Sequence, residues 1–254
     1  MPIKTVVFDL GGTLIEYAGE YANWPDLETP GFQAAYNSLD HNGATLPEFS
    51  LFQDAGFTLL PEMWQAATRH EQNLTVTDLL SFTLQQVGVR TVSREHTAAA
   101  AHEYGRAIQA QARLIDTAVE TVQQIKAAGY KVGLVSNTMF PGDMHRADMT
   151  RFGLIDYFDA LAFSADLFQW KPNAAPFLHM LAKLEAEAET AVYIGDDPAS
   201  DVVGGQAAGL RTIYFRSSQR FAPPDGVQPH AEIKRLKELL PLLQHWNGQL
   251  SGCH

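Results

Sequence analysis

Cysteine is nearly missing from this chain: the single thiol, Cys253, stands next to last in 254 residues. An intrachain disulfide or a cysteine metal centre is therefore excluded. Basic residues are also scarce, with 18 Lys and Arg against 29 Asp and Glu and a formal net charge of −11. No Lys/Arg cluster offsets that excess, so nucleic acid and anionic membranes are poor partners, since both need a basic surface. No apolar window approaches the ~20 residues of a membrane span. The first residues lack the charged start, apolar core and small-residue cleavage site of a secretory leader, and Asp9 interrupts their apolar run. Repeats and low-complexity tracts are absent as well. The expectation is a soluble cytoplasmic protein with no nucleic-acid or membrane partner and an open oligomeric state. A hydrophobic content of 46% is enough for one large or two modest globular units.

What is present is a rhythm. "KTVVF" (4–8) has the composition of a short strand buried on both faces. Much later the pattern resumes, with a helix from about Ala118, a Gly129 cap and a strand over Lys131–Val135. "ALAFS" follows as a strand, "NAAPFLHMLAKLEAEAE" as a helix and "TAVYIGDD" as a strand. "ASDVVGGQAAG" then predicts a helix ended by Gly209, and "LRTIYF" the last strand. A loop rich in Pro, Ser and Gly leads to "AEIKRLKELLPLLQHW", an amphipathic helix with Pro241 as a bend or stop. Strands alternating with helices imply right-handed crossovers and a layered α/β sheet. Between about 16 and 115 no β-branched strand run occurs. Helices are expected there after Thr77 as N-cap, with Gly88 beyond the end, and over 93–115 behind a Ser93 cap. This stretch reads as an all-helical insertion.

Three apolar strands end in polar groups: the first in Asp9, the second in Ser136 and Asn137, and another in Asp196 and Asp197. Ligands of an open parallel sheet bind outside the carboxyl ends of its strands, so these residues are expected to meet at one edge. Asp9, Asp196, Asp197 and Asp201 would crowd like charges there, each raising the pKa of the others. A divalent cation resolves that conflict, and an all-oxygen donor set suits Mg²⁺ rather than zinc. With the Lys171 ammonium and the Ser136 hydroxyl added, the set fits an anion held against a metal, phosphate being the natural candidate. Taken singly, each residue has a plainer reading. Asp9 fits a strand-end turn, Ser136 and Asn137 fit a loop, and Lys171 fits a solvated surface. The Asp196, Asp197 and Asp201 group fits a helix cap. It is their order and spacing together that argue for a site.

In "VVFDLGGTL", "VGLVSNT", "KPNAAPF" and "YIGDDPASD" the chain resembles the haloacid dehalogenase-like (HAD) superfamily, with all four of its motifs in order. The resemblance implies a Rossmann-like α/β core, residues 1–15 and 116–254, and a helical cap domain, residues 16–115, inserted between the first two motifs. It implies that Asp9 is a nucleophile that forms an aspartyl-phosphate, that Ser136 and Asn137 hold phosphate oxygens, and that Lys171 balances charge on both partners. Asp9, Asp196 and the backbone carbonyl of Gly11 would hold Mg²⁺, with Asp197 and Asp201 in or just behind the metal shell. The substrate would be a small phosphorylated metabolite.

One position departs from the commonest phosphatase pattern. A second aspartate, the general acid and base, normally stands two residues after the nucleophile, and here that position is Gly11. The loss removes help worth typically about 10²–10⁴-fold. In the dehalogenase branch halide leaves without a proton, but that branch works without Mg²⁺ and lacks an aspartate at the place of Asp196. Phosphonate hydrolysis needs a cap lysine, and no lysine occurs between Lys4 and Lys126. A Mg²⁺-dependent phosphatase is the leading expectation, ahead of a non-catalytic phosphate-binding protein and a dehalogenase; phosphoryl transfer to a sugar hydroxyl stays open. Glu16, Glu20, Asp26 and Glu28 are the candidate substitute acids. In the cap, Trp24, Phe32, Tyr36, Phe52, Phe57 and Trp64 fit either a pocket or a helix-packing core. Arg69, Arg90, Arg94, Arg106 and Arg113 are its strong cations for a second anionic group. The histidines have no ligand-like spacing and receive no assignment.

Overall fold

The computed structural model describes residues 1–19, 23–70, 72–216 and 224–250. Cys253, Glu20 and part of the Pro/Ser/Gly-rich loop lie outside the described residues. The first strand, β1 (Thr5–Phe8), is buried along its whole length. Its side chains alternate between two apolar layers, Val6 and Phe8 on one face and Val7 on the other, as a period of two requires. β1 pairs in parallel with β4 (Lys131–Ser136) on one side and β6 (Ala191–Gly195) on the other. The full sheet runs β5-β4-β1-β6-β7-β8, where β5 is Ala160–Phe163, β7 Arg211–Phe215 and β8 Ala231–Ile233. The chain leaves β1 toward β4 and β5, then crosses back to β6 on the opposite side of β1. Strand order therefore reverses at β1, and the crevice outside its carboxyl end is where ligands of such sheets bind.

Helices cover both faces. α5 (Ala118–Ala127) and α10 (Leu239–Leu250) put Val122, Ile125, Leu239 and Leu243 against Val6 and Phe8. α8 (Ala175–Lys183) puts Phe177, Met180 and Leu181 against Val7, Val135 and Tyr193. A side chain at Gly133 on β4 would lie 2.7 Å from Met180 Sδ, so glycine lets α8 seat closely. The α5 end is as expected, with Gly129 in the left-handed region (φ +88°).

Residues 29–110 form α1 (Thr29–His41), α2 (Phe49–Thr68), α3 (Val76–Gln86) and α4 (Arg94–Ala110). α1 packs on α4 and α2 on α3 around their own apolar centre. Phe32 is the hub of this centre, edge-on to Tyr104 at 5.2 Å, Phe57 at 5.4 Å and Phe52 at 6.2 Å. The helical insertion joins the sheet through a short ribbon in which β2 (Ile15–Glu16) pairs antiparallel with β3 (Arg113–Leu114). Among the described residues no helix is long and apolar enough to cross a membrane.

Several local expectations need correction. The α3 cap is Thr75, not Thr77: Thr75 Oγ1 accepts from Asp78 N at 3.2 Å while Asp78 Oδ2 accepts from Thr75 N at 3.2 Å. The reciprocal pair satisfies two donors at once and outcompetes a threonine two residues further on. α4 stops at Ala110 rather than 115, because the next residues find backbone partners in 14–16. The predicted helix over 199–209 opens as a π-helical turn, Pro198–Val202, before α9 (Val203–Ala207). α8 ends at Lys183 instead of 189, with Glu185 at φ +47° beyond it. β7 is not the last strand, since residues 231–233 add β8 to its free edge, and the closing helix begins at Leu239. Pro241 consequently sits in the first turn of α10, where its missing N–H breaks no helical bond.

Gly56 lets α2 pass close to the hub, and a Cβ there would overlap the ring of Phe32. Gly56→Ala is expected to destabilise the fold by about 1–3 kcal/mol in urea unfolding, against the gain of about 1 kcal/mol that alanine brings to an open helix site. A net stabilisation would show that the Phe32 cluster is loosely packed.

Candidate functional site

Asp9 follows β1 directly and is 5% exposed. The backbone then turns tightly, with the N–H groups of Leu14 and Ile15 both reaching Leu10 O. The two glycines in this turn differ in kind. Gly12 has φ +79°, and a Cβ there would overlap the Asp196 carboxylate, so two independent constraints require glycine. Gly11 is exposed, and a Cβ there would meet nothing within 4 Å. Nothing in the backbone or its surroundings excludes a side chain at Gly11.

Lys171 reaches this point from the segment between α7 (Ser164–Leu167) and α8. Its ammonium donates to Asp9 Oδ1 at 2.8 Å, to Asp201 Oδ1 at 2.6 Å and to the Tyr193 hydroxyl at 2.8 Å. All three N–H donors are thereby used. Tyr193, buried on β6, passes its own proton to Val135 O on β4 at 2.7 Å. Asn137 grips the backbone of Lys171 at both ends of its amide, donating to Lys171 O at 2.9 Å and accepting from Lys171 N at 2.8 Å. The Asn137 amide therefore positions the lysine. Ser136, the last residue of β4, is buried and lines the same cavity as Asp9, Lys171 and Asp196.

Asp196 follows β6, and Asp197 caps the π-helical turn by accepting from Ala199 N at 3.0 Å. The cap reading and the site reading of this group thus coexist. Asp201 is held on both oxygens, Oδ1 by Lys171 and Oδ2 by Asp197 N at 3.0 Å. Gly195 makes room for it, since a Cβ there would overlap the Asp201 carboxylate. One oxygen each of Asp9, Asp196 and Asp201 lies within 4.8 Å of the others, all buried. Three carboxylates against one ammonium leave uncompensated negative charge. That hard-oxygen donor set fits a divalent cation such as Mg²⁺.

The electrostatics follow. Burial raises the Asp9 carboxyl to about 6, against the attraction of Lys171 and with the repulsion of Asp201. Burial alone would lower Lys171, but Asp201 and Asp9 outweigh it and raise its pKa, so the ammonium stays charged. Asp197 is raised by burial and then by Asp201.

Sequence reading missed a second polar group on the cavity wall. His145 is hydrogen-bonded to Thr138 Oγ1 at 2.7 Å and to the Tyr17 hydroxyl at 3.1 Å. Burial lowers it to about 4, so it is neutral at pH 7. Tyr17 also donates to Asp148 Oδ2 at 3.2 Å, tying the residue after β2 to α6 (Gly142–Arg151). His145 lies on α6, a stretch with no assignment from sequence, so no spacing rule marks it. Of the candidate acids, Glu16 lines the cavity with Oε1 accepting from Tyr17 N at 2.8 Å and Ala18 N at 2.9 Å. Asp26 is exposed, whereas Glu28 is buried on the cavity wall. Trp24 and Trp64 also line it, while Phe32 and Phe52 belong to the helical core. The five cap arginines, Arg69, Arg90, Arg94, Arg106 and Arg113, are all exposed, and none lines the cavity.

Comparison with known proteins agrees with this arrangement. A family profile described as haloacid dehalogenase-like hydrolase matches residues 3–209. Pyrophosphatase PpaX of Bacillus cereus is 26% identical over 248 residues, covering 97% of this chain and 99% of that protein. Ribulose-1,5-bisphosphate 5-phosphatase of Halopiger xanaduensis is 32% identical over 116 residues, 46% of this chain and 48% of that protein. Among solved structures, 2-haloacid dehalogenase from Pseudomonas syringae pv. Tomato DC3000 superimposes with a TM-score of 0.70 at 25% identity, covering 96% of this chain and 99% of that one. The HAD-hydrolase YfnB from Bacillus subtilis, bound to magnesium, gives 0.66 at 20% identity over 96% of this chain and 99% of that one. With four motifs converging on one sheet edge and the profile spanning most of its length, the chain belongs to the haloacid dehalogenase-like hydrolases.

Proposed function

We propose that the protein is a Mg²⁺-dependent phosphatase acting on a small phosphate monoester through an aspartyl-phosphate on Asp9. The observation that carries this reading is the buried cluster of Asp9, Asp196 and Asp201 with Lys171 donating to Asp9. Lys171 holds Asp9 Oδ1, and Thr13 Oγ1 donates weakly to Oδ2 at 3.3 Å, which orients the carboxylate. An Asp9 oxygen attacks phosphorus, the bond to the ester oxygen breaks, and the leaving group departs as an alkoxide that takes its proton from water. Water then cleaves the phosphoryl-aspartate and regenerates Asp9 with release of inorganic phosphate. Ser136 Oγ and the backbone N–H groups beside it would bind phosphate oxygens, while Asn137 serves by fixing Lys171. Asp9, Asp196 and the Gly11 carbonyl would hold the cation, and Asp197 and Asp201 would support them from behind. The cation, when bound, supplies positive charge between two anions that would otherwise repel. We further propose that residues 1–15 and 116–254 act as the core and 16–115 as a cap, divided at the β2–β3 ribbon.

The distinguishing feature is the missing acid at Gly11. It leaves protonation of the departing alcohol unassisted at that position, which favours substrates with good leaving groups. PpaX and the bisphosphate phosphatase bear names that support phosphate chemistry. A dehalogenase reading draws on the 2-haloacid dehalogenase structure, but a buried Asp196 has no task in metal-free halide displacement.

Turnover of p-nitrophenyl phosphate is expected with Mg²⁺ and is expected to vanish with EDTA or in Asp9→Asn. Release of halide from 2-haloacids instead would support the dehalogenase, and neither activity would support a binding protein. Across a phenyl phosphate series, kcat is expected to fall steeply as leaving-group pKa rises; a flat dependence with chemistry limiting the rate contradicts unassisted departure. Gly11→Asp has room for its side chain and should raise kcat for alkyl phosphates by up to about 10²–10⁴-fold, with little gain on p-nitrophenyl phosphate.

Another test needs no substrate. In the metal-free protein burial pushes the Asp9 carboxyl up to about 6, above the usual carboxylate range. Its folded-state pKa is raised, so its contribution to stability is full below about 4 and lost as pH rises through about 6. Mg²⁺ competes with that proton. The rise in Tm on adding Mg²⁺ should be small at pH 5, grow through pH 6 to 7, and disappear in Asp196→Asn.

A further inference from the structure

We propose, resting on the phosphatase reading, that the substrate is the phosphate ester of an apolar, ring-sized alcohol whose far end is a hydrogen-bond donor, best a protonated amine, received by Glu28. The cavity that opens on Asp9 has a volume of about 340 Å³, room for a phosphorylated ring. Beyond the phosphate end its wall is apolar, formed by Trp24, Leu27, Trp64, Ile108 and Met144. Against that wall stands one buried carboxyl, Glu28, 6% exposed.

Other polar groups on the helical side are already committed. Glu16 Oε1 caps the two N–H groups after it, Gln109 donates to Met144 O at 3.0 Å, and Tyr17 bonds His145 and Asp148. Glu28 receives one hydrogen bond among the described residues, from Tyr104 OH to Oε2 at 2.9 Å. Tyr104 is itself fixed edge-on to Phe32, and Gly31 makes space for its ring. The carboxyl is therefore held rigidly by a neutral donor, with no cation paired to it among the described residues.

A carboxyl in that position is costly to ionise. Burial raises Glu28 to about 7, opposed by the Tyr104 hydrogen bond. A ligand ammonium would relieve this penalty, whereas a ligand anion would add to it. Nor is there a counter-charge for such an anion. Lys171 is the one cationic residue on the cavity wall among the described residues, and its three protons are taken; His145 is neutral. The pyrophosphate and bisphosphate in the relatives' names are anionic at both ends. This cavity is built for the opposite polarity at its far end.

The test is a matched series of three phenyl phosphates with Mg²⁺: 4-ethylphenyl phosphate, O-phosphotyramine, and 3-(4-phosphooxyphenyl)propanoate. Their leaving phenols are alike, so the chemical step is constant and only the far-end charge changes. Expected kcat/KM rises about tenfold from the neutral ester to the amine and falls about tenfold or more for the carboxylate. Glu28→Gln keeps an acceptor for Tyr104 and should bring the amine-to-neutral ratio close to one. A purely structural role for Glu28 would change all three esters equally. An amine with no advantage, or a carboxylate equal to the neutral ester, overturns the assignment in the unmodified protein alone, whatever Glu28→Gln does to folding. If no ester releases phosphate, calorimetric Kd values for the same three with Mg²⁺ decide separately. The same order would keep the pocket assignment and sink the phosphatase reading, and no binding or no order would sink the pocket assignment too.

Discussion

The Lys171 ammonium, with its side chain 3% exposed, joins Asp9 after β1, Asp201 in the turn after β6 and the Tyr193 hydroxyl on β6. Through Tyr193 it also reaches the backbone of β4. Three parallel strands thus converge on one charge. An ammonium stripped of water is held only if every donor finds an acceptor and the charge finds a counter-charge. Both conditions are met here, and the surrounding architecture is what meets them. Asn137 locks the lysine backbone, Gly195 clears space for Asp201, and Gly12 lets Asp196 approach the loop after β1. Loss of the lysine would leave buried carboxylates facing one another, so the carboxylate cluster depends on it.

The same arrangement explains the two glycines that follow the first aspartate. Gly12 is required by a left-handed backbone and by the Asp196 carboxylate. Gly11 is required by neither, and its place is open. Its glycine is therefore no folding requirement, and a side chain there would find open space. On the helical side the polar supply is correspondingly lopsided. Arginines stay on the exposed faces, while the aromatic hub around Phe32 carries Tyr104 and, through it, Glu28 to the cavity wall. Packing in the helical insertion thereby sets the polarity of the cavity's far wall.

Legibility from sequence varied with how local each determinant is. β1 is readable because Thr5–Phe8 is a β-branched and aromatic run that ends at a charge, and a parallel strand buried on both faces produces that pattern. The α5 end was readable because Gly129 adopts a left-handed conformation that few other residues tolerate. The α3 cap was misplaced by two residues because Thr75 and Thr77 are equally good candidates until the Asp78 pairing is weighed. "AEIKRL" has helical composition, and only the vacant edge of β7 makes residues 231–233 extended. In the same way, β3 exists because residues 15–16 lie beside it after some hundred intervening residues have folded away.

Sequence alone determined the alternation of β1, β4, β5, β6 and β7 with the helices between the last four, the helical character of the insertion and the set of residues with chemical potential, since propensity, period and motif spacing are properties of neighbours along the chain. The tertiary structure decided which of those residues share a charge. It committed Asn137 to Lys171, put Asp201 on two donors, turned Glu28 inward and left the arginines outside. It also gave Tyr193, inside the fourth motif, its place on Lys171, and brought in Tyr17 and His145, which lie in no motif. Burial and hydrogen-bond pairing depend on atoms far apart in sequence, and those are settled only when the sheet and the helical layer close over the same cavity.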